Sequence, residues 1–110
     1  NIALAAVGTA GEESIYRIAG MLEKKEMEEL IKKGAVGSIY GRWYDTDGQF
    51  IESDINRRVF GVPLEIAREI PKRILITAGL NKIQAIRGGL NTRLCDLIIT
   101  EETTAKKLLD

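Results

Sequence analysis

Histidine is absent from the 110 residues, cysteine occurs once and proline twice. Without histidine there is no imidazole to act as a general base near neutral pH or to ligate a metal. The single thiol, Cys95, cannot close an internal disulfide, which fits a reducing compartment. Neither sign of charge is in excess, because 16 basic and 16 acidic side chains cancel. A nucleic-acid-binding module ordinarily carries a basic surplus to meet phosphates, so this stretch is a poor match to one. No apolar run approaches the ~20 residues of a membrane-spanning helix, and no signal-peptide pattern is seen. The expectation is a cytoplasmic protein with no membrane association. What is present suits one folded domain: 45% apolar and 29% charged residues supply enough apolar surface to offset chain entropy.

Hydrophobic periodicity divides the chain into alternating elements. Ile2 to Val7 is a continuous apolar run, as in a strand buried on both faces of a parallel sheet. Gly8-Thr9-Ala10-Gly11 breaks it. Ile15, Ile18, Ala19 and Leu22 then follow at helical spacing. A second helix is predicted over Lys24 to Lys33, with Met27, Leu30 and Ile31 inward and Gly34 as its stop. Val36 to Tyr44 reads as a strand, Asp45-Thr46-Asp47-Gly48 as a turn and Gln49 to Ile51 as the returning strand of a hairpin. Ser53 to Gly61 has no period and reads as a loop. Pro63 opens a short helix through Glu69, ended by Pro71. Arg73 to Ala78 is a strand and Asn81 to Leu90 a helix with Ile83, Ile86 and Leu90 inward. Asp96 to Ile99 is a strand, and Glu101 to Leu109 a helix with Ala105, Leu108 and Leu109 inward. Strand-helix-strand-helix with short links implies right-handed parallel βαβ units. The fold class is α/β, an open Rossmann-like parallel sheet with an inserted β-hairpin.

Ligands of such sheets bind beyond the carboxyl ends of the strands, which singles out two places. Gly8 to Gly11 lets a backbone approach a ligand closely, although the same residues make a plain turn, and Glu12 and Glu13 in the next helical turn would repel a phosphate. Ala78-Gly79-Leu80-Asn81-Lys82 puts an amine beside helix N–H groups, a good anion site, or simply a solvated lysine. Asp45 and Asp47 read as turn formers or as paired carboxylates. Arg57-Arg58 either hold a phosphate or solvate a loop. Tyr40, Trp43 and Tyr44 either stack on a ligand or pack. Cys95 reads as inert core.

The residues Gly34-Ala35-Val36-Gly37-Ser38-Ile39-Tyr40-Gly41-Arg42-Trp43-Tyr44-Asp45 with Asp47-Gly48 resemble the pattern "GAVGDI-GRFFD-DG" of SorC/DeoR-type transcription regulators. Asn56-Arg57-Arg58-Val59-Phe60-Gly61-Val62 with Leu64-Glu65 is similar to their "N-R-IGI-LE-L". Ile70-Pro71, Ile74 to Gly79, Lys82, Ala85-Ile86 and Gly88-Gly89-Leu90 resemble "IP-RI-VAGG-K-AI-AL-GG". Leu97 to Ala105 with Leu108-Leu109 resembles "LITDE-TA-LL". The series spans nearly the whole chain in order.

This resemblance implies an effector domain with the fold of glucosamine-6-phosphate deaminase, ribose-5-phosphate isomerase and the CoA-transferases. Residues 1–110 would be the C-terminal part of that domain, with its first half and a helix-turn-helix domain absent. The implied partners are a phosphorylated sugar, further copies of the chain in a homo-oligomer, and operator DNA through the missing domain. The resemblance assigns effector contacts to Asp45 and Lys82, and to the bordering turn residues Gly8, Thr9 and Ala10. It implies no enzyme activity, cofactor or metal. The pattern's second "AGG" glycine is Leu80 here, a side chain expected either to narrow the pocket or to alter which effector fits. A sugar-phosphate isomerase or deaminase of the same fold is the alternative, since fold does not decide function.

Overall fold

The computed structural model describes residues Asn1 to Asp110. In chain order the elements are β1 (Ile2–Ala5), β2 (Gly8–Thr9), α1 (Ile15–Ile18), α2 (Lys24–Lys32), β3 (Gly37–Ile39), β4 (Arg42–Tyr44), α3 (Asp54–Arg57), α4 (Leu64–Arg68), β5 (Lys72–Ile76), α5 (Ile83–Asn91), β6 (Leu97–Ile99) and α6 (Glu102–Leu108). Strands β1, β5 and β6 form a parallel sheet in the order β1-β5-β6, and β2, β3 and β4 an antiparallel one in the order β2-β3-β4. The α/β reading and the parallel βαβ unit β5-α5-β6 therefore hold.

Helix α5 joins the two sheets. Its Ala85 and Ile86 lie in one core with Leu75 of β5 and with Ile39 and Tyr44 of the antiparallel sheet. Leu75 is in register with Ala5 on one side and Ile98 on the other, and both of these pack on the same core. Close approach of α5 to the antiparallel sheet requires glycine. A Cβ on Gly37 would fall 2.7 Å from the Ala85 Cβ, and one on Gly88 2.7 Å from the Asp45 carbonyl oxygen. Tyr44 fills the space these glycines leave, wholly buried, and its hydroxyl donates to the Ala85 carbonyl at 2.5 Å. Burial, followed by the neighbouring Cys95, pushes the Tyr44 hydroxyl far above its ordinary pKa, so it stays protonated and donating.

A second core of Leu22, Met27, Leu30, Ala35, Trp43 and Ile51 lies under α2. Asn56 ties it to α3. Its Nδ2 donates to the carbonyls of Trp43 at 2.9 Å and Ile51 at 2.8 Å, and its Oδ1 accepts from the Trp43 N–H at 2.8 Å.

Several local expectations are corrected. The hairpin turns earlier than expected, at Tyr40-Gly41, and Asp45 to Gly48 makes a second turn closed by a Tyr44–Phe50 bridge. Gly8-Thr9 is not part of a turn but a short strand against β3. The expected loop at Ser53 to Gly61 contains α3, capped by Ser53. Glu12 and Glu13 precede α1, which starts after its Ser14 cap. Ile15 and Ile18 of that single turn are exposed, as are Ile31 and Leu109, while Leu90 is partly so. The first strand is not buried on both faces, because Ile2 and Leu4 are each 62% exposed. The exposures reverse the assignment of inward faces, because no element covers the face that the apolar pattern marks.

Replacing Gly88 with Ala is expected to destabilise the protein by about 1–3 kcal/mol, since the methyl group meets backbone and a ring that cannot yield. Urea unfolding with an unchanged m-value reads this directly.

Candidate functional site

The carboxyl end of β1 leads through Ala6-Val7-Gly8 into β2, and a cavity of about 250 Å³ opens there. Val7, Gly8, Tyr16, Ser38, Tyr40 and Lys82 line it. Lys82 reaches it from the loop after β5, the strand paired with β1. After β5, Gly79 takes φ +125°, and its carbonyl accepts the Lys82 N–H at 3.0 Å across a 3-10 turn, Leu80–Lys82. The Gly79 N–H donates to Thr104 Oγ1 at 2.9 Å, and that hydroxyl donates to Glu101 Oε1 at 2.8 Å. This pins the loop onto the start of α6. Lys82 then sits at the N-cap of α5, and its Nζ donates to the Val7 carbonyl at 3.3 Å.

Lys82 takes part in no ion pair, whereas Arg17, Arg57, Arg58, Arg73, Lys106 and Lys107 each pair with a carboxylate. An unpaired ammonium beside the positive end of a helix attracts an oxyanion. The cavity's hydroxyl groups come from Ser38, Tyr16 and Tyr40, and no carboxylate lines it. Tyr40 is placed by strain. It has φ +51° at the two-residue hairpin turn, next to Gly41 at +79°, and a side chain in that region costs on the order of 1 kcal/mol. Arg42 braces the turn by donating from Nη1 to the Tyr40 carbonyl at 2.9 Å. At the ends of β5 and β6, the buried hydroxyls of Thr77 and Thr100 have no partner within the chain, so hydrogen-bonding capacity is left over along the same sheet edge.

Of the residues singled out by sequence, the structure brings Gly8, Tyr40 and Lys82 to one cavity. Thr9 is buried in β2 and Ala10 packs on the second core. Asp45 lies on another cavity, with Lys33, Phe50, Ile51 and Glu52. Its Oδ1 accepts the N–H groups of Asp47 at 3.0 Å and Gln49 at 2.9 Å, which makes it the former of its own turn. Leu80 is 58% exposed and is not among the residues that line the Lys82 cavity. Arg57 and Arg58 are paired with Glu52, Asp54 and Glu26. Trp43 and Tyr44 are core. Ser38 and Tyr16 were not foreseen as cavity residues, whereas Tyr40, read as either stacking on a ligand or packing, lines the cavity. Ser38 carried a signal, since it replaces the first aspartate of the "GAVGDI" pattern.

The family described as "Putative sugar-binding domain" matches residues 1–110. The Deoxyribonucleoside regulator of Bacillus subtilis is 36% identical over 110 residues, covering 100% of this chain and 35% of the regulator. The chain thus spans about a third of the length of that relative. Among solved structures, a DeoR family transcriptional regulator from Listeria monocytogenes superposes with a TM-score of 0.90 at 30% identity, covering 97% of this chain and 43% of that one. A sugar-binding domain of a transcriptional repressor from Vibrio fischeri gives 0.85 at 29%, covering 98% and 44%.

Cys95, half-buried, is a poor nucleophile. Burial first, then the charge of Asp96, raises its thiol pKa, with Arg73 opposing. Iodoacetamide at pH 7 should therefore alkylate Cys95 markedly more slowly in the native protein than in urea, as followed by mass spectrometry.

Proposed function

We propose, on the premise that this chain belongs to the sugar-binding domain family of SorC/DeoR-type transcriptional regulators, that it forms the C-terminal part of an effector-sensing domain. The effector is a phosphorylated sugar bound at the carboxyl tip of β1. The observation that carries this reading is Lys82: an ammonium free of any ion pair, at the start of α5, facing a cavity walled by Gly8, Ser38 and two tyrosines. The amine and helix N–H groups suit a phosphate. Ser38 and the tyrosine hydroxyls suit sugar hydroxyls, and glycine at position 8 leaves room for them.

The cavity favours binding over turnover. Isomerisation or deamination of a sugar phosphate needs a positioned acid or base, and this cavity offers only an amine and hydroxyls, with no carboxylate in its lining and no histidine in the chain. Regulation follows from a population shift: the sugar phosphate stabilises one arrangement of a homo-oligomer and so changes its affinity for operator DNA. DNA contact belongs to a helix-turn-helix domain outside residues 1–110, in keeping with the balanced charge of this stretch. No helix is long and apolar enough to cross a membrane.

In the intact protein, Lys82→Ala should weaken sugar-phosphate binding at least tenfold, the scale of a lost charge-assisted contact, while Lys82→Arg retains part of it. Unfolding without ligand should change by about 0.5 kcal/mol or less. Calorimetric titration against a panel of sugar phosphates reads the first effect and thermal unfolding the second. Unaltered binding by the alanine variant removes Lys82 from the site, and rapid turnover of any sugar phosphate by the parent protein overturns the regulator reading.

A further inference from the structure

Ser38 is the most enclosed polar side chain of the cavity at the β1 tip. It is only 4% exposed, and it lines the cavity together with Gly8, Tyr16, Tyr40 and Lys82. Successive side chains of a strand point to opposite faces. Ile39 turns into the core beneath α5, so Ser38 turns to the other face of β3, where its register partners are Gly8 and Trp43. A Cβ on Gly8 would lie 3.0 Å from Ser38 Oγ, which sets the hydroxyl directly over the glycine. The hydroxyls of Ser38, Tyr16 and Tyr40 take no part in the hydrogen bonds within the chain, while the Lys82 amine has only the Val7 carbonyl. A polar group this enclosed is ordinarily satisfied, so the open valence of Ser38 points into the cavity.

Charge decides what satisfies it. The "GAVGDI" pattern has aspartate at this position, so the strand accepts a side chain of that size. A carboxylate there would oppose the charge of Lys82 and accept ligand hydroxyls. It would also repel any oxyanion brought over Gly8, at short range and in a place shielded from water. Serine removes that repulsion and leaves a donor. Lys82 then carries the only formal charge in the lining. Nearby carboxylates are engaged elsewhere, Glu12 with Arg17 and Asp45 with its own turn. A wall of one ammonium and several hydroxyl donors gains most from a group that only accepts, because a charge-assisted hydrogen bond is about twice as strong as a neutral one.

We propose that Ser38 is the specificity-determining residue of this cavity. The ligand group seated against it, over Gly8, is an oxyanion that Ser38 and Lys82 hold together, where an aspartate would admit only a hydroxyl. The proposal rests on the effector-domain reading above and refines it: Ser38 meets the acidic end of the ligand, and sugar hydroxyls are left to the tyrosines. A phosphate and a carboxylate share this chemistry.

The test titrates the intact protein calorimetrically with pentose and hexose phosphates and with the matching unphosphorylated sugar acids. Ser38→Ala, which removes the hydroxyl and no charge, should weaken the preferred acidic probe about tenfold. Ser38→Asp should weaken it at least about a hundredfold, through the like charge. Ser38→Asn has the volume of aspartate and keeps a donor, so it should lose less than the alanine variant. Losses confined to the phosphates assign the oxyanion to a phosphate, and losses confined to the sugar acids assign it to a carboxylate. Equal losses for Asn and Asp make the position steric and overturn the proposal. So does an alanine variant that binds like the parent. If Lys82→Ala weakens binding while Ser38→Asp does not, the Ser38 assignment alone fails. If the parent binds no acidic probe, the effector reading fails and takes this proposal with it.

Discussion

Tyr44 occupies a slot whose walls are glycine. A Cβ on Gly37 or Gly89 would lie 2.7 or 2.9 Å from its hydroxyl, and one on Gly88 would touch its ring. With those side chains absent, the phenol passes between β3 and α5 and hydrogen-bonds the helix backbone at Ala85. Burying so large an aromatic stabilises the fold on the order of a few kcal/mol, provided its hydroxyl is satisfied. This contact joins the antiparallel sheet to α5, and α5 in turn covers the parallel sheet, so both sheets are oriented through one ring.

The candidate site inherits its geometry from that joint. Lys82 stands at the first turn of α5, while Ser38 and Tyr40 stand on the strand and turn that α5 packs against. Their meeting at the tip of β1 is a consequence of how closely helix and sheet approach. Rigid elements on both sides hold an ammonium and several hydroxyls in place before a ligand arrives, which reduces the ordering cost of binding. The hydrogen-bonded chain Gly79–Thr104–Glu101 ties the same loop to the start of α6.

Much of the fold is legible in the residues. The short apolar runs at Ile74 and Leu97, with a helical period between them, give the βαβ unit because a crossover of that length has few alternatives. Asp45-Thr46-Asp47-Gly48 reads correctly as a turn. The hairpin reading fails one turn earlier, since Tyr40 is not a residue that advertises a positive φ and only Gly41 hints at it. Ser53 and Asn56 look like loop residues, yet one caps α3 and the other satisfies three backbone groups of the hairpin. Of the site, Gly8 and Lys82 are readable from their places after strands. Ser38 and Tyr16 are not, and for Tyr40 the residues leave ligand contact and packing both open, because the β3 segment meets Tyr16 and Lys82 only after folding.

By itself, the amino-acid sequence determined the class of structure, the absence of histidine chemistry, the neutral balance that disfavours nucleic acid and the lysine at a helix start. These depend on composition and on neighbours within one or two turns. The tertiary structure decided which face of each apolar run is covered, that Asp45 serves its own turn on a different cavity from Lys82, and that Ile2, Leu4, Ile76, Leu97 and Ile99 form one bare surface. Such facts depend on contacts between segments far apart in the chain, and local periodicity holds no information about whether a partner is there to meet an apolar face.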